Sequence, residues 1–375
     1  MKIAILSRVI FLSGVTTHII DLSSELIKKG HEVYVFTAGP QEPNNILYVE
    51  IFDRLKATGI KIVDIPYPLN RKNKLNYLFK FSKSIYLTKK YLKQFNVDVI
   101  HVHTPALSFI PKLLGLSFIK TIHVKNLSLS FLNQNATHLI TISRETYKEA
   151  LVKFKYTEDE VSLICNGVNS EFSELIEDAA CLSLKNKLNI PTDKIILGIV
   201  GSIQYRKGHD VLLKSIAKLP DHCKNKIHLI ILGSGNAEEE RWLKEMIIAS
   251  NLEDSISKFD FQLPKPFYDV MDILILPSRL EGFGLVVVEA MLANCCIIRS
   301  DVEGAYDQIT DGSTGFLFGN EKHEALSNIL EKLLFDDHLR KQVAIRGRQF
   351  AIEHFTSDKM TEKTIAVYQK VLDNV

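Results

Sequence analysis

Two glutamates eight positions apart sit where an apolar strand gives way to a helix: Leu276-Pro277-Ser278 is followed by Glu281-Gly282-Phe283-Gly284 and then Glu289. Glycines at a strand–helix turn let the backbone approach a ligand, and the first turn of the new helix offers N–H groups to an anion. Glu281 falls in the turn and Glu289 in the second helical turn, with both carboxylates expected near the edge of a ligand cleft. One is suited to accept hydrogen bonds from sugar hydroxyls and the other from a ribose diol. The plain alternative is a solvated turn glutamate and a surface helix glutamate. A cation, Lys207, follows a second apolar strand and precedes Gly208 and a helix, with Arg206 beside it. Placed there it can neutralise a pyrophosphate; otherwise it is a solvated loop lysine. His103 comes at the carboxyl end of a third strand, and His101 points the same way because side chains alternate along a strand. His123 ends a fourth. Hydrogen-bonded structural histidines are the alternative for all three.

These residues need elements to hold them. Ile3–Leu6, His31–Phe36, Lys61–Ile65, Val97–Val102, Ile119–His123 and Leu139–Ile142 are short apolar runs that read as strands, with helical patterns between most of them. Val15, Ile19, Leu22 and Leu26 repeat at helical spacing, and Gly30 stands where a C-cap is expected. The pattern pauses in a polar stretch ending at Pro191 and restarts with Ile195–Val200, Ile227–Leu232, Ile273–Leu276 and Cys296–Arg299. Strand-then-helix repetition builds parallel sheets with helices on both faces. The expectation is α/β, with two doubly wound, Rossmann-like domains facing across a cleft. Their boundaries are set at 1–168 and 169–355, with a helix at 356–375 that packs back on the first domain. Ligands of open α/β sheets bind at the carboxyl ends of the strands.

Composition narrows the class. The chain has 375 residues, 46% hydrophobic and 24% charged, with a net charge of +2, so neither broad disorder nor a general nucleic-acid surface is indicated. Five cysteines without metal-ligand spacing read as reduced thiols of a cytoplasmic protein. Met1-Lys2 before Ile-Ala-Ile-Leu imitates a signal peptide. Arg8 interrupts the run and no small-residue cleavage site follows, so a buried first strand is expected. Lys112 and Lys120 break the best membrane-span candidate, 106–124.

Pro277-Ser278-Arg279-Leu280-Glu281-Gly282-Phe283-Gly284-Leu285 with Glu289-Ala290-Met291 resembles the glutamate–seven–glutamate signature of family-4 glycosyltransferases. Further matches follow in the family's order. They are Ser13-Gly14-Val15, Asp98-Val99-Ile100-His101-Val102-His103-Thr104-Pro105, Thr141-Ile142-Ser143, Asn166-Gly167-Val168 and Val200-Gly201 with Lys207-Gly208. Gly233-Ser234-Gly235 and Ser300-Asp301 with Gly304, Asp311-Gly312 and Gly315 complete the set. The resemblance spans nearly the whole chain. It implies a GT-B fold and transfer of a hexose-type sugar from a nucleotide-diphosphate donor, UDP- or GDP-linked, to a glycan or lipid-linked acceptor. It also implies retention of configuration, no metal and no cofactor. In the front-face displacement of this family, the leaving phosphate takes the acceptor proton.

Carried over residue by residue, the resemblance assigns catalysis to His103, Glu281, Lys207 and Arg206. Donor binding goes to Gly14, Ser202, Gly233, Phe283, Gly284, Leu285 and Glu289, and acceptor binding to Val15, Thr16, His123 and Asn166. Two positions depart from the family. Ser202 stands where an arginine is usual, a charge that Arg206 is expected to supply, and Ser13 replaces the first glycine of the amino-terminal turn. Serine can still cap the helix there.

No Asp-X-Asp triplet, Gly-X-Ser-X-Gly elbow or Walker loop occurs, and Gly233-Ser234-Gly235 lacks the rest of a dinucleotide fingerprint. Residues 71–94 carry Arg71, Lys72, Lys74, Lys80, Lys83, Lys89, Lys90 and Lys93 without an acid, interleaved with Tyr77, Phe79, Phe81, Tyr86 and Tyr91. Such a helix is either an anionic-membrane contact, making the protein peripheral on the inner face, or a solvated face with its apolar side packed inward. The alternative to an enzyme is a catalytically silent GT-B subunit that binds glycan, which should have lost Lys207 or a signature glutamate. All are present.

Overall fold

Alternating strands and helices build two separate parallel sheets. The computed structural model describes residues 1–68, 73–125 and 133–374. It divides into two compact units: unit 1 is Met1–Gly167 with Ser357–Val375, and unit 2 is Val168–Thr356.

Unit 1 holds β1 (Lys2–Leu6), β2 (Glu32–Thr37), β3 (Lys61–Asp64), β4 (Val99–Val102), β5 (Ile119–Ile122), β6 (His138–Thr141) and β7 (Val161–Leu163). Their spatial order is β3-β2-β1-β4-β5-β6-β7, all parallel. The apolar run at the start of the chain is thus an inner strand. Its period-2 side chains fill cores on both faces: Ile3 and Ile5 in one, Ala4 and Leu6 in the other. The helix Ser357–Asp373 adds Met360, Val367, Tyr368 and Val371 to the core of Ile3 and Ile5. Its Tyr368 hydroxyl lies 2.7 Å from His101 Nδ1, while His101 Nε2 is 2.8 Å from the Thr121 hydroxyl. With both ring nitrogens engaged, His101 joins the closing helix to the sheet.

Unit 2 holds β8 (Ile195–Val200), β9 (Ile227–Leu232), β10 (Ile256–Phe259), β11 (Ile273–Leu276), β12 (Cys296–Ser300) and β13 (Phe316–Phe318). The order is β10-β9-β8-β11-β12-β13, again parallel. Leu197, Ile199, Leu229, Ile231, Ile273, Ile275 and Ile298 form one continuous core. The polar stretch after residue 165 is more than a linker. Val168 N–H donates to Phe355 O at 2.8 Å, and the helix Asp178–Lys187 belongs to unit 2.

Each sheet reverses its direction of growth once, between β1 and β4 and between β8 and β11. At such a point the connections leave towards opposite faces, opening a crevice beyond the strands' carboxyl ends. The loops there carry most of the residues with chemical potential. Of the basic segment, Arg71 and Lys72 lie outside the described residues. The remainder is the helix Lys74–Phe95, whose Leu92 is buried and whose Ile85, Leu87, Tyr91 and Phe95 pack partly against the core of unit 1. Among the described residues no helix is long and apolar enough to cross a membrane.

Candidate active site

At the reversal in unit 2, the loop after β8 and the loop after β11 converge. Lys207 Nζ lies 2.5 Å from Glu281 Oε2, with side chains 13% and 12% exposed. The contact is set by backbone. Gly208 has φ +73°, and a Cβ there would stand 2.0 Å from Pro277 O, so only glycine allows the two loops to touch. Arg279 then fastens them: its N–H donates to Arg206 O (2.7 Å), its Nη1 to Tyr205 O (2.7 Å), and its guanidinium forks onto Asp210 at 2.8 Å twice. The same guanidinium stacks 3.8 Å from the Tyr205 ring centroid and reaches Glu321 at 2.7 Å.

Burial pushes the Glu281 carboxyl up, but Lys207, with Arg299 and Arg206, outweighs it and holds the group below the usual carboxylate range. Glu281 is therefore ionised at neutral pH. Arg299, fully buried at the end of β12, donates to Phe283 O (3.2 Å) and Glu303 O (2.9 Å) and contacts the Gln308 side chain. Gln308 in turn donates to Gly284 O at 3.2 Å. The loop carrying Glu281 is thus braced from beneath by buried polar groups. Lys207, Arg299 and Arg206 place three cations around this one carboxylate.

The other expected donor residues are placed as follows. Gly284, with φ +80°, is the N-cap of the helix Leu285–Leu292. Phe283 is buried and packs edge-on against Phe355, and its carbonyl is taken by Arg299, so its ring and oxygen are both committed to the fold. Leu285 is also buried. Glu289 lies deeper than an edge carboxylate, 7% exposed and accepting from the Tyr268 hydroxyl at 2.7 Å. Ser202 is half-buried in the β8 loop. Gly233 follows β9 and donates to Phe259 O at 2.9 Å. Arg206 is exposed and tethered to Gln204 Oε1 at 2.8 Å.

At the reversal in unit 1, Ser13 caps the helix Gly14–Lys28, accepting from Thr16 N–H at 3.3 Å. Thr16 is buried and its hydroxyl accepts from Phe11 N–H, which commits it to the loop, while Gly14 is exposed and Val15 half-buried. His103 follows β4, and its Nδ1 lies 3.1 Å from His123 Nε2. His18, from the helix, completes a group with ring centroids 5.1 Å from His103 and 4.9 Å from His123. Asn166 is buried beside His18. Burial lowers the His18 pKa to about 4 and, with mutual repulsion among the rings, holds His103 and His123 well below the ordinary value. All three imidazoles are neutral at physiological pH, able to donate at one nitrogen and accept at the other.

Comparison with known proteins matches both halves of the chain. Residues 12–172 fit the model described as Glycosyltransferase Family 4, and residues 182–350 fit that described as Glycosyl transferases group 1. The chain belongs to this glycosyltransferase family. It is 25% identical to the D-inositol 3-phosphate glycosyltransferase of Corynebacterium diphtheriae, over 95% of this chain and 89% of the relative. A glycosyltransferase structure from Rickettsia africae superposes with a TM-score of 0.83 at 22% identity, covering 100% of both chains. Anabaena HepE, solved in complex with UDP-glucose, gives a TM-score of 0.82 at 16% identity over 100% of both chains. The two Rossmann-like units are the GT-B fold.

Several residues that shape this glycosyltransferase's pocket carried no assigned role at the level of sequence. Arg279 lies inside the signature but takes its meaning from Asp210 and Tyr205. Arg299 was legible only as a lone charge in an apolar strand, and His18 was hidden within an amphipathic helix. Because Gly208 sets the loop contact, Gly208→Ala should destabilise the protein by about 2 kcal/mol or more, summing left-handed strain and overpacking. Gly312 has φ +71° but open space around its Cβ position, so Gly312→Ala should incur only the strain, about 1–2 kcal/mol. Thermal unfolding checks this; equal losses in the two variants would show that the loop contact with Pro277 tolerates a side chain.

Proposed function

We propose that this glycosyltransferase moves a hexose-type sugar from a nucleotide-diphosphate donor to a glycan or lipid-linked acceptor, with retention and without a metal. The observation that carries it is the Lys207–Glu281 pair at the β8/β11 reversal of unit 2. A diphosphate arriving there gains Lys207 and Arg206, and positive charge on the departing diphosphate is the main electrostatic task of such a transfer. Glu281, ionised, orients Lys207 before the donor arrives and can accept from sugar hydroxyls. The bond from the anomeric carbon to the phosphate oxygen breaks and a bond to the acceptor oxygen forms on the same face. The acceptor proton passes to the leaving phosphate. His103, His123 and Asn166 of unit 1 are assigned to the sugar and acceptor. A UDP donor is supported by HepE's complex with UDP-glucose. The expected outcome is that Lys207→Ala and Glu281→Gln each lower turnover by at least about tenfold, roughly 1.4 kcal/mol of transition-state stabilisation, while chelator lowers nothing. Full activity in either variant, or loss with chelator and recovery with magnesium or manganese, would refute the assignment.

A second reading concerns where the enzyme works. The helix Lys74–Phe95 exposes Leu75 (81%), Phe79 (67%) and Tyr86 (66%) at helical spacing, among exposed Lys80, Lys83, Lys89 and Lys90. Apolar side chains beside lysines suit an anionic membrane surface, where each lysine contributes about 1 kcal/mol. A cytoplasmic, membrane-peripheral location with a lipid-linked acceptor follows, and the five free cysteines support a reducing compartment. In co-sedimentation with anionic vesicles, wild type should bind at low salt and be released at roughly 0.5 M. The variant with Lys80, Lys83, Lys89 and Lys90 changed to Glu should not bind. Equal behaviour of the two proteins would remove the membrane contact.

A further inference from the structure

The three imidazoles at the unit 1 reversal leave an unsettled hydrogen-bond count. His18 is 3% exposed with Asn166 beside it, and neither of its ring nitrogens reaches a partner at full hydrogen-bond distance. His103 Nε2 is buried and unpartnered. Buried polar nitrogens without partners cost about 1–3 kcal/mol each and call for something that meets them. One nitrogen from each of His18, His103 and His123 lies within 4.8 Å of one from each of the others.

We infer that His18, His103 and His123 form a site for a single divalent transition-metal ion of the zinc type. Imidazole suits zinc, cobalt, nickel and copper, whereas magnesium and calcium require oxygen. Two nitrogens bonded to one tetrahedral zinc at about 2.0–2.1 Å stand roughly 3.3 Å apart. His103 Nδ1 and His123 Nε2 are already 3.1 Å apart, and the third nitrogen needs to close by no more than about 1.5 Å, within reach of a ring rotation. The three ligands come from a helix and from the residues that directly follow two neighbouring strands. Three protein ligands leave a fourth position open to water or a ligand hydroxyl, as in zinc sites that exchange ligands. This ion is not a requirement for sugar transfer. It takes imidazoles that the proposed function gives to sugar and acceptor, so zinc and acceptor compete.

The test is metal binding by the full chain without any donor, which separates it from the sugar-transfer reading. Metal-stripped protein is titrated with zinc by calorimetry, with magnesium as the comparison, and with cobalt while the visible spectrum is recorded. The result expected is one zinc equivalent of micromolar or tighter affinity, no comparable magnesium binding, and the visible absorption of tetrahedral cobalt. A second cluster, His222, Cys223 and Glu331, is also close enough to bind an ion, so His222→Ala is included and should leave this equivalent in place. His18→Ala and His123→Gln should each weaken it by at least about tenfold, with far-UV dichroism confirming the fold. His123 is half-buried, so its variant carries the test if His18→Ala unfolds. Undiminished affinity in a folded histidine variant, loss in His222→Ala, or zinc binding no tighter than magnesium would overturn the assignment.

Discussion

The contact between Lys207 and Glu281 is the constraint around which unit 2 is arranged. Bringing a lysine and a carboxylate together away from water requires both loops to stop within one hydrogen-bond length of each other, with little freedom to relax. Gly208 permits the approach, Arg279 ties the two loops to the first turn of the helix His209–Ala217, and Arg299 with Gln308 braces the Glu281 loop from beneath. The buried guanidinium of Arg299 is acceptable because carbonyls and an amide oxygen receive its protons. Remove any of these supports and the carboxylate is free to find solvent. Held as it is, the pair offers a lysine already aimed at the place where an anionic group would arrive, so less reorganisation is needed on binding.

Unit 1 repeats the topology with different chemistry. Its reversal point presents neutral imidazoles instead of charges, because burial removes the protonated form and each ring discourages protonation of the next. Under the proposed function, the Lys207–Glu281 pair of unit 2 would serve the diphosphate and the neutral imidazoles of unit 1 the hydroxyl groups. His101 marks the division between structure and function within one strand. It shares a face with His103, yet both its nitrogens are spent on Tyr368 and Thr121, whereas His103 one step further along retains an unpartnered nitrogen.

Much of this was readable from residue order. The ten apolar runs named as strands all pair in the two sheets; nine are inner parallel strands, buried on both faces and so continuous in hydrophobicity, and the tenth is the edge strand β3. The strands that escaped are β7, β10 and β13, every one an edge strand of three or four residues. At β10, Ile256-Ser257-Lys258-Phe259 has one covered flank and tolerates polar side chains, so periodicity alone does not reveal it. Glu281 and Lys207 stood out because glycine turns at strand ends are local signals, and His103 because it directly follows an apolar strand. Arg279 and His18 act through partners far away in sequence, Asp210 and His123, and Arg299 through Phe283 and Gln308 on the segments either side of β12. No local pattern encodes those pairings. Glu289 was recognised by spacing, but its burial against Tyr268 depends on a segment some twenty residues earlier.

The central claim is that unit 2 recognises a diphosphate through Lys207. Calorimetric titration of the wild type and Lys207→Ala with UDP and with uridine measures it directly. The wild type should bind UDP at least about tenfold more tightly than uridine, a difference of about 1.4 kcal/mol, and Lys207→Ala should bring the two ligands nearly level. A variant that keeps the full preference for UDP would contradict it.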